Sequence, residues 1–165
     1  MDRRRACCLK WIVPAAAVAL MGLAAVRPAE ASLGGDVGSI QADQVKLQGT
    51  RQTTAKAAYT VHEIQAASGT VVREYLSADG KVFAVTFRGP FLPDIRQILG
   101  NYFEQYSTAR QAQVAQNPNA RRARRPIVVD EPGLNVQIGG HPRSFAGRAY
   151  VPGMLPGGVQ LEEIQ

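Results

Sequence analysis

The stretch from Tyr59 to Arg88 reads YTVHEIQ-AASG-TVVREYL-SADG-KVFAVTF-R, and its reading decides the fold. Three runs rich in β-branched and aromatic residues, Tyr59–Gln65, Thr70–Leu76 and Lys81–Phe87, are separated by two connectors that each end in glycine. That is the pattern of a three-residue hairpin loop, a type I turn closed by a left-handed residue. Taken literally, the first turn pairs Ala66 with Thr70. Ile64 then faces Val72, Glu63 faces Arg73, His62 faces Glu74 and Val61 faces Tyr75. The second turn pairs Ser77 with Lys81, so that Tyr75 faces Phe83, Arg73 faces Val85 and Val71 faces Phe87. This register gathers Tyr59, Val61, Val71, Tyr75, Phe83, Val85 and Phe87 on one face, and every opposed charge pair is complementary.

Working outward, Gly89-Pro90-Phe91-Leu92-Pro93-Asp94 breaks the third strand and starts a helix, with Pro93 suited to its first turn. Ile95, Ile98, Leu99, Tyr102, Phe103 and Tyr106 then form one apolar stripe at helical spacing. The aromatic sheet face is its expected partner. On the N-terminal side, Ser32 to Ser39 reads as a loose Gly-rich lead, Ser39 as the N-cap of a short helix ending before Gly49, and Thr50 to Lys56 as a polar connector. On the C-terminal side, Thr108 to Arg125 reads as a helix that frays into a basic loop at about 109–125. Short strands follow at Ile127–Asp130, Leu134–Ile138 and Phe145–Val151, and Pro152 to Gln165 is expected to lie extended over the surface. The fold class is α+β: an antiparallel β-meander with one amphipathic helix packed on its aromatic face and a C-terminal β-hairpin.

Residues 1–31 read as an address and residues 32–165 as a single domain. Arg3, Arg4, Arg5 and Lys10 precede an apolar run from Trp11 to Val26, followed by Ala29-Glu30-Ala31. A basic head, a short apolar middle and an Ala-x-Ala end make a secretory signal peptide, cut between Ala31 and Ser32. The run is about 16 residues and contains Pro14 and Gly22, so it spans a bilayer poorly; an uncleaved anchor is the alternative. Arg4-Arg5 leaves the twin-arginine route open beside the general one. Cleavage removes Cys7 and Cys8, the only two cysteines, and lowers the net charge from +6 to +3. About half the basicity belongs to the address. The full chain is 45% hydrophobic and 19% charged, and the part after the signal reads as globular, with no integral membrane span and no disulfide framework.

Chemistry is sparse. The two histidines, His62 and His141, have no metal-ligand spacing around them, and no nucleophile elbow or phosphate-binding loop occurs. No metal or cofactor is expected. Glu63 with Arg73, and His62 with Glu74, are the pairs the register creates, read as structural. Arg121, Arg122, Arg124 and Arg125 form a basic run without interleaved aromatics, which in an exported chain points to an anionic surface and away from nucleic acid. His141, Arg143, Arg148 and Tyr150 lie in the densest cluster of recognition-type residues, suited to an anionic ligand or to a partner's carboxylates. Edge-strand protection by the basic side chains is the simpler reading.

Six motifs carry a resemblance. Tyr59-Thr60-Val61-His62-Glu63, Gly69-Thr70-Val71-Val72-Arg73-Glu74-Tyr75, Gly80-Lys81-Val82-Phe83-Ala84-Val85, Gly89-Pro90-Phe91-Leu92-Pro93-Asp94, Leu99-Gly100-Asn101-Tyr102-Phe103 and Gly140-His141-Pro142-Arg143-Ser144-Phe145-Ala146-Gly147-Arg148-Ala149 resemble the exported proteobacterial family known as domain of unknown function 2844. The likeness covers nearly all of the chain after the signal and is weakest at Ala120–Arg125. It implies export but no activity, substrate or catalytic residue. The expectation is an exported cell-envelope protein, non-enzymatic, binding another envelope protein or an anionic envelope component. The alternative is a periplasmic hydrolase acting through His62–Glu74 or His141.

Overall fold

A computed structural model describes residues 33–117 and 126–165, so the signal segment and the Arg121–Arg125 run lie outside the described residues. Seven strands form one antiparallel sheet: β1 (Thr50–Ala55), β2 (Tyr59–Gln65), β3 (Val71–Ser77), β4 (Val82–Gly89), β5 (Ile127–Glu131), β6 (Leu134–His141) and β7 (Ser144–Tyr150). Their order is β1-β2-β3-β4-β7-β6-β5. The C-terminal strands thus extend the meander, with β7 laid against β4. Helices α1 (Val37–Lys46), α2 (Ile95–Leu99) and α3 (Phe103–Gln116) cover one face, and the segment after β7 crosses the other. The α+β class, the meander, the main helical run and the C-terminal hairpin are as the sequence leads one to expect.

The first hairpin has the register derived from its turn, with Ile64 opposite Val72, Glu63 opposite Arg73 and His62 opposite Glu74. Gly69 and Gly80 hold the left-handed positions, at φ 84° and 74°. The second turn also forms as expected, with Ser77 N donating to Lys81 O at 2.8 Å. Beyond it the register differs. Leu76 faces Val82 but Tyr75 faces Ala84, so Phe83 is the extra residue of a β-bulge. Arg73 therefore opposes Thr86, and Val71 opposes Arg88. The bulge divides the aromatic set. Phe87, Val85 and Val72 face the helices, packing with Ile98 and Leu99. Tyr59, Tyr75 and Phe83 face the other way, their ring centroids 5.8–6.2 Å apart, and are closed over by Ile164.

The local corrections have simple causes. Asp36, not Ser39, caps α1: its carboxylate accepts from Gly38 N and Ser39 N, so the helix starts earlier than expected and Asp36–Ser39 is not loose. The supposed connector Thr50–Lys56 is mostly β1, an edge strand whose burial on one face alone leaves little apolar signal. Asp94 caps α2, and Pro93 stands just outside it. The apolar stripe is one surface but not one rod, because Gly100, at φ 49°, breaks the run into α2, a 3-10 turn and α3. Helix α3 continues to Gln116, past the point where a loop was expected, held by Gln113 Nε2 to Val128 O at 2.7 Å. Pro152–Gln165 is not merely extended: it makes two 3-10 turns and buries Ile164 to 1% exposure.

Gly147 in β7 lies opposite Phe87, and a Cβ there would sit 2.3 Å from the Phe87 ring. Gly147→Ala should therefore lower stability by about 1–3 kcal/mol through overpacking. Gly153→Ala, where a Cβ would meet nothing within 4 Å, should stay within about 0.5 kcal/mol of the parent. Urea unfolding of the two variants checks this.

Candidate anion-binding groove

Side chains alternate across a strand, so pairing decides which residues of β3, β4, β7 and β6 stand together. One row across these strands runs Arg73, Thr86, Arg148, Gln137, and the next runs Val71, Arg88, Ala146, Gly139. Both rows face away from the helices. Between them and the C-terminal segment lies a groove of about 590 Å³, within the range of roughly 300–1,000 Å³ typical of small-molecule sites. Arg73, Arg88 and Arg148 line it, and no Asp or Glu side chain does. Two other cavities carry both signs. The one between α1 and α2 has Lys46 and Arg96 against Asp94 and Glu104, and the one beside β1 has Lys56 and Arg73 against Glu63 and Glu163. Charge therefore selects the groove.

The three guanidiniums are held differently. Arg73 Nε donates to Glu63 Oε2 at 2.6 Å, and its Nη1 donates to the main-chain oxygen of Gln165 at 2.8 Å. The Tyr75 hydroxyl donates to that same oxygen at 2.8 Å. Arg148 Nη1 donates to Leu161 O at 2.9 Å, and its guanidinium carbon lies 5.7 Å from the centre of the Tyr150 ring. Arg148 is thus held by neutral groups, and its charge is not cancelled. Arg88 is exposed and makes no hydrogen bond or ion pair among the described residues. Arg88 and Arg148 are diagonal neighbours across the β4–β7 pair, about 7–8 Å apart at the backbone, so one oxyanion can be gripped by both.

The residues singled out from the sequence are distributed otherwise than expected. Arg148 is in the groove. Tyr150, on the same face, is buried in the aromatic cluster with Tyr59, Tyr75 and Phe83. His141 and Arg143 are exposed at the β6–β7 turn, about 13 Å along the strands from Arg148. His141 Nδ1 lies 3.1 Å from Pro142 O, and Arg143 takes φ 69°. The sheet does not bring these four together. Arg121, Arg122, Arg124 and Arg125 lie outside the described residues. Arg88 escaped the sequence reading because only the distant β4–β7 pairing places it beside Arg148.

The second candidate, His62 with Glu74, is on the helix side beneath α1. The two face each other in register, yet His62 Nδ1 is 3.1 Å from Thr53 Oγ1, and Glu74 is fully buried. Burial, with a smaller push from Arg51, lowers the His62 pKa below the usual histidine value and keeps the ring neutral. Burial and then the adjacent Asp43 carboxylate push Glu74 up to about 9, so it is a neutral acid in the fold. Gln97 Nε2 donates to Asp43 Oδ1. Neither His62 nor Glu74 lines any of the three cavities. A general base needs a substrate within hydrogen-bond reach, and this cluster is sealed. Among the described residues no group of histidine, cysteine, aspartate and glutamate is placed to hold a metal ion, and no helix is long and apolar enough to cross a membrane.

A family model described as "Protein of unknown function (DUF2844)" matches residues 29–164. No curated protein and no solved structure matches the chain.

Glu74 takes up a proton on folding because its folded pKa is raised. Its contribution is complete below the unfolded value of about 4.5 and is lost as pH rises toward and through about 9. Glu74→Gln keeps the shape and removes the titration. Thermal unfolding between pH 6 and pH 10 should show the parent losing stability relative to Glu74→Gln as pH rises. A constant difference would mean that Glu74 is ionised in the folded protein.

Proposed function

The chain belongs to the DUF2844 family of proteins of unknown function, and from its groove we propose an exported, non-enzymatic cell-envelope protein that binds an anionic component of the envelope. Export is supported by the signal-like order of residues 1–31, a basic head, a short apolar run and Ala29-Glu30-Ala31. Binding is supported by one observation above the others: Arg88 and Arg148, from adjacent strands, line a single groove with no acidic side chain to neutralise them, beside Arg73, which is paired with Glu63. Such a wall attracts anions before contact and grips an oxyanion after it. A binding role asks for nothing more, whereas hydrolysis through His62–Glu74 or His141 would need an open cleft beside one of these histidines. Nucleic acid is not the favoured anion, because the groove offers no aromatic platform of the kind single strands stack upon.

The reading gives two expected results. Cell fractionation should recover the protein outside the cytoplasm with a mass beginning at Ser32, and a cytoplasmic full-length chain would end the export proposal. Retention of envelope extract on the immobilised Ser32–Gln165 chain should fall between about 50 and 500 mM salt, as screening weakens exposed charge contacts. It should fall several-fold in Arg88→Glu, a change at an exposed residue that leaves the core intact. Retention indifferent to both salt and Arg88→Glu would remove the groove as the binding site.

A further inference from the structure

The groove is much larger than its charged part. An oxyanion held between Arg88 and Arg148 would occupy only part of a volume of about 590 Å³. The remaining wall is largely carbon: Ala146 and Gly139 form the floor on the β6 side of Arg88, Val71 lies on its other side, and Ile164 and Pro126 stand at the sides. A small inorganic anion would leave this part filled only by water. The one aromatic on the wall, Phe87, packs with the helix-side core under Gly147 and offers no ring for a flat base to stack on. A polyanion with regularly spaced charges is also a poor match, because Arg73 is already neutralised by Glu63 and only Arg88 and Arg148 remain uncompensated by a carboxylate.

Resting on the anion-binding reading above, we propose that the groove takes a single-chain amphiphile: one carboxylate or phosphate head clamped between Arg88 and Arg148, and a hydrocarbon tail laid over Ala146 and Gly139 beside Pro126. The Thr86 hydroxyl stands in the same row as Arg148, beneath the clamp, and is 3.5 Å from the Tyr75 hydroxyl. The segment that roofs the groove is the one whose Leu161 and Gln165 oxygens engage Arg148 and Arg73. A bound head takes the place of the Leu161 oxygen on Arg148. No bond is made or broken; the site sorts ligands by one charge and one chain.

The test uses the Ser32–Gln165 chain and five probes followed by isothermal titration, all below micelle-forming concentrations: dodecyl phosphate, laurate, inorganic phosphate, acetate and dodecyl maltoside. The proposal expects dodecyl phosphate and laurate to bind at least about ten-fold more tightly than phosphate, acetate or the uncharged maltoside. Arg88→Gln should weaken both long-chain anions by about ten-fold, the scale of one charge-assisted contact. Ala146→Leu, at an exposed sheet position, should weaken them by filling the floor. The laurate and dodecyl phosphate arms distinguish a carboxylate head from a phosphate head. Equal affinity for phosphate and dodecyl phosphate would overturn the amphiphile and leave the anion groove standing. Equal affinity for the maltoside and dodecyl phosphate would overturn the anionic reading itself, and no binding by any probe would overturn both. Unchanged long-chain binding in Arg88→Gln and Ala146→Leu, with both variants folded by circular dichroism, would move the amphiphile elsewhere on the protein and overturn this site.

Discussion

The pairing of β4 with β7 is the constraint on which the rest of the molecule depends. Six residue pairs, from Ala84–Tyr150 to Gly89–Phe145, join the β1–β4 meander to the β7–β6–β5 meander and make one sheet of two. Each half alone would expose an edge strand bearing unpaired main-chain groups beside an incomplete apolar face. Joined, β4 becomes a central strand with nothing exposed from Val82 to Phe87. It has helices on one side and the aromatic cluster on the other. An antiparallel sheet usually leaves one face to water. Here the α1–α3 layer covers one face, and the C-terminal segment covers part of the second.

The same ladder explains which features could be read from sequence. The first hairpin was legible to the residue, because a Gly-terminated loop and complementary charges specify one register locally. The second turn was equally legible, yet the strand pair was not, because the Phe83 bulge follows from what the two faces must bury. Tyr75 and Phe83 have to meet Tyr59 and Ile164 on one side, while Val82 and Val85 meet the helix layer on the other. Only an extra residue lets Phe83 and Ala84 both face the tail. Strand β1 was missed for the opposite reason: Thr50 to Ala55 buries almost nothing and lacks an apolar period. The break at Gly100 leaves the stripe's spacing intact, so periodicity could not disclose it.

Legibility of the site divides the same way. Arg148 is visible as an unusual residue within a predicted strand, and Arg73 as the partner of Glu63. That they stand one strand to either side of Thr86, with Arg88 on the diagonal, is a consequence of β4–β7 pairing across a long stretch of sequence. His141 and Arg143 drew attention by their proximity in the chain to Arg148. In a hairpin, proximity along the chain runs lengthwise, and a few residues carry a side chain beyond reach of its neighbour.

The two faces also divide the polar chemistry of the protein. On the helix side, Asp43 of α1 and the Glu74 and His62 side chains of the sheet are buried, and burial keeps Glu74 neutral. A group buried in this way fastens a helix to a sheet and meets no solute. On the tail side, the arginines remain in contact with solvent. Gly147 belongs to the first of these designs. Its missing side chain admits the Phe87 ring on the helix side, and a side chain there would disturb the core that underlies the groove.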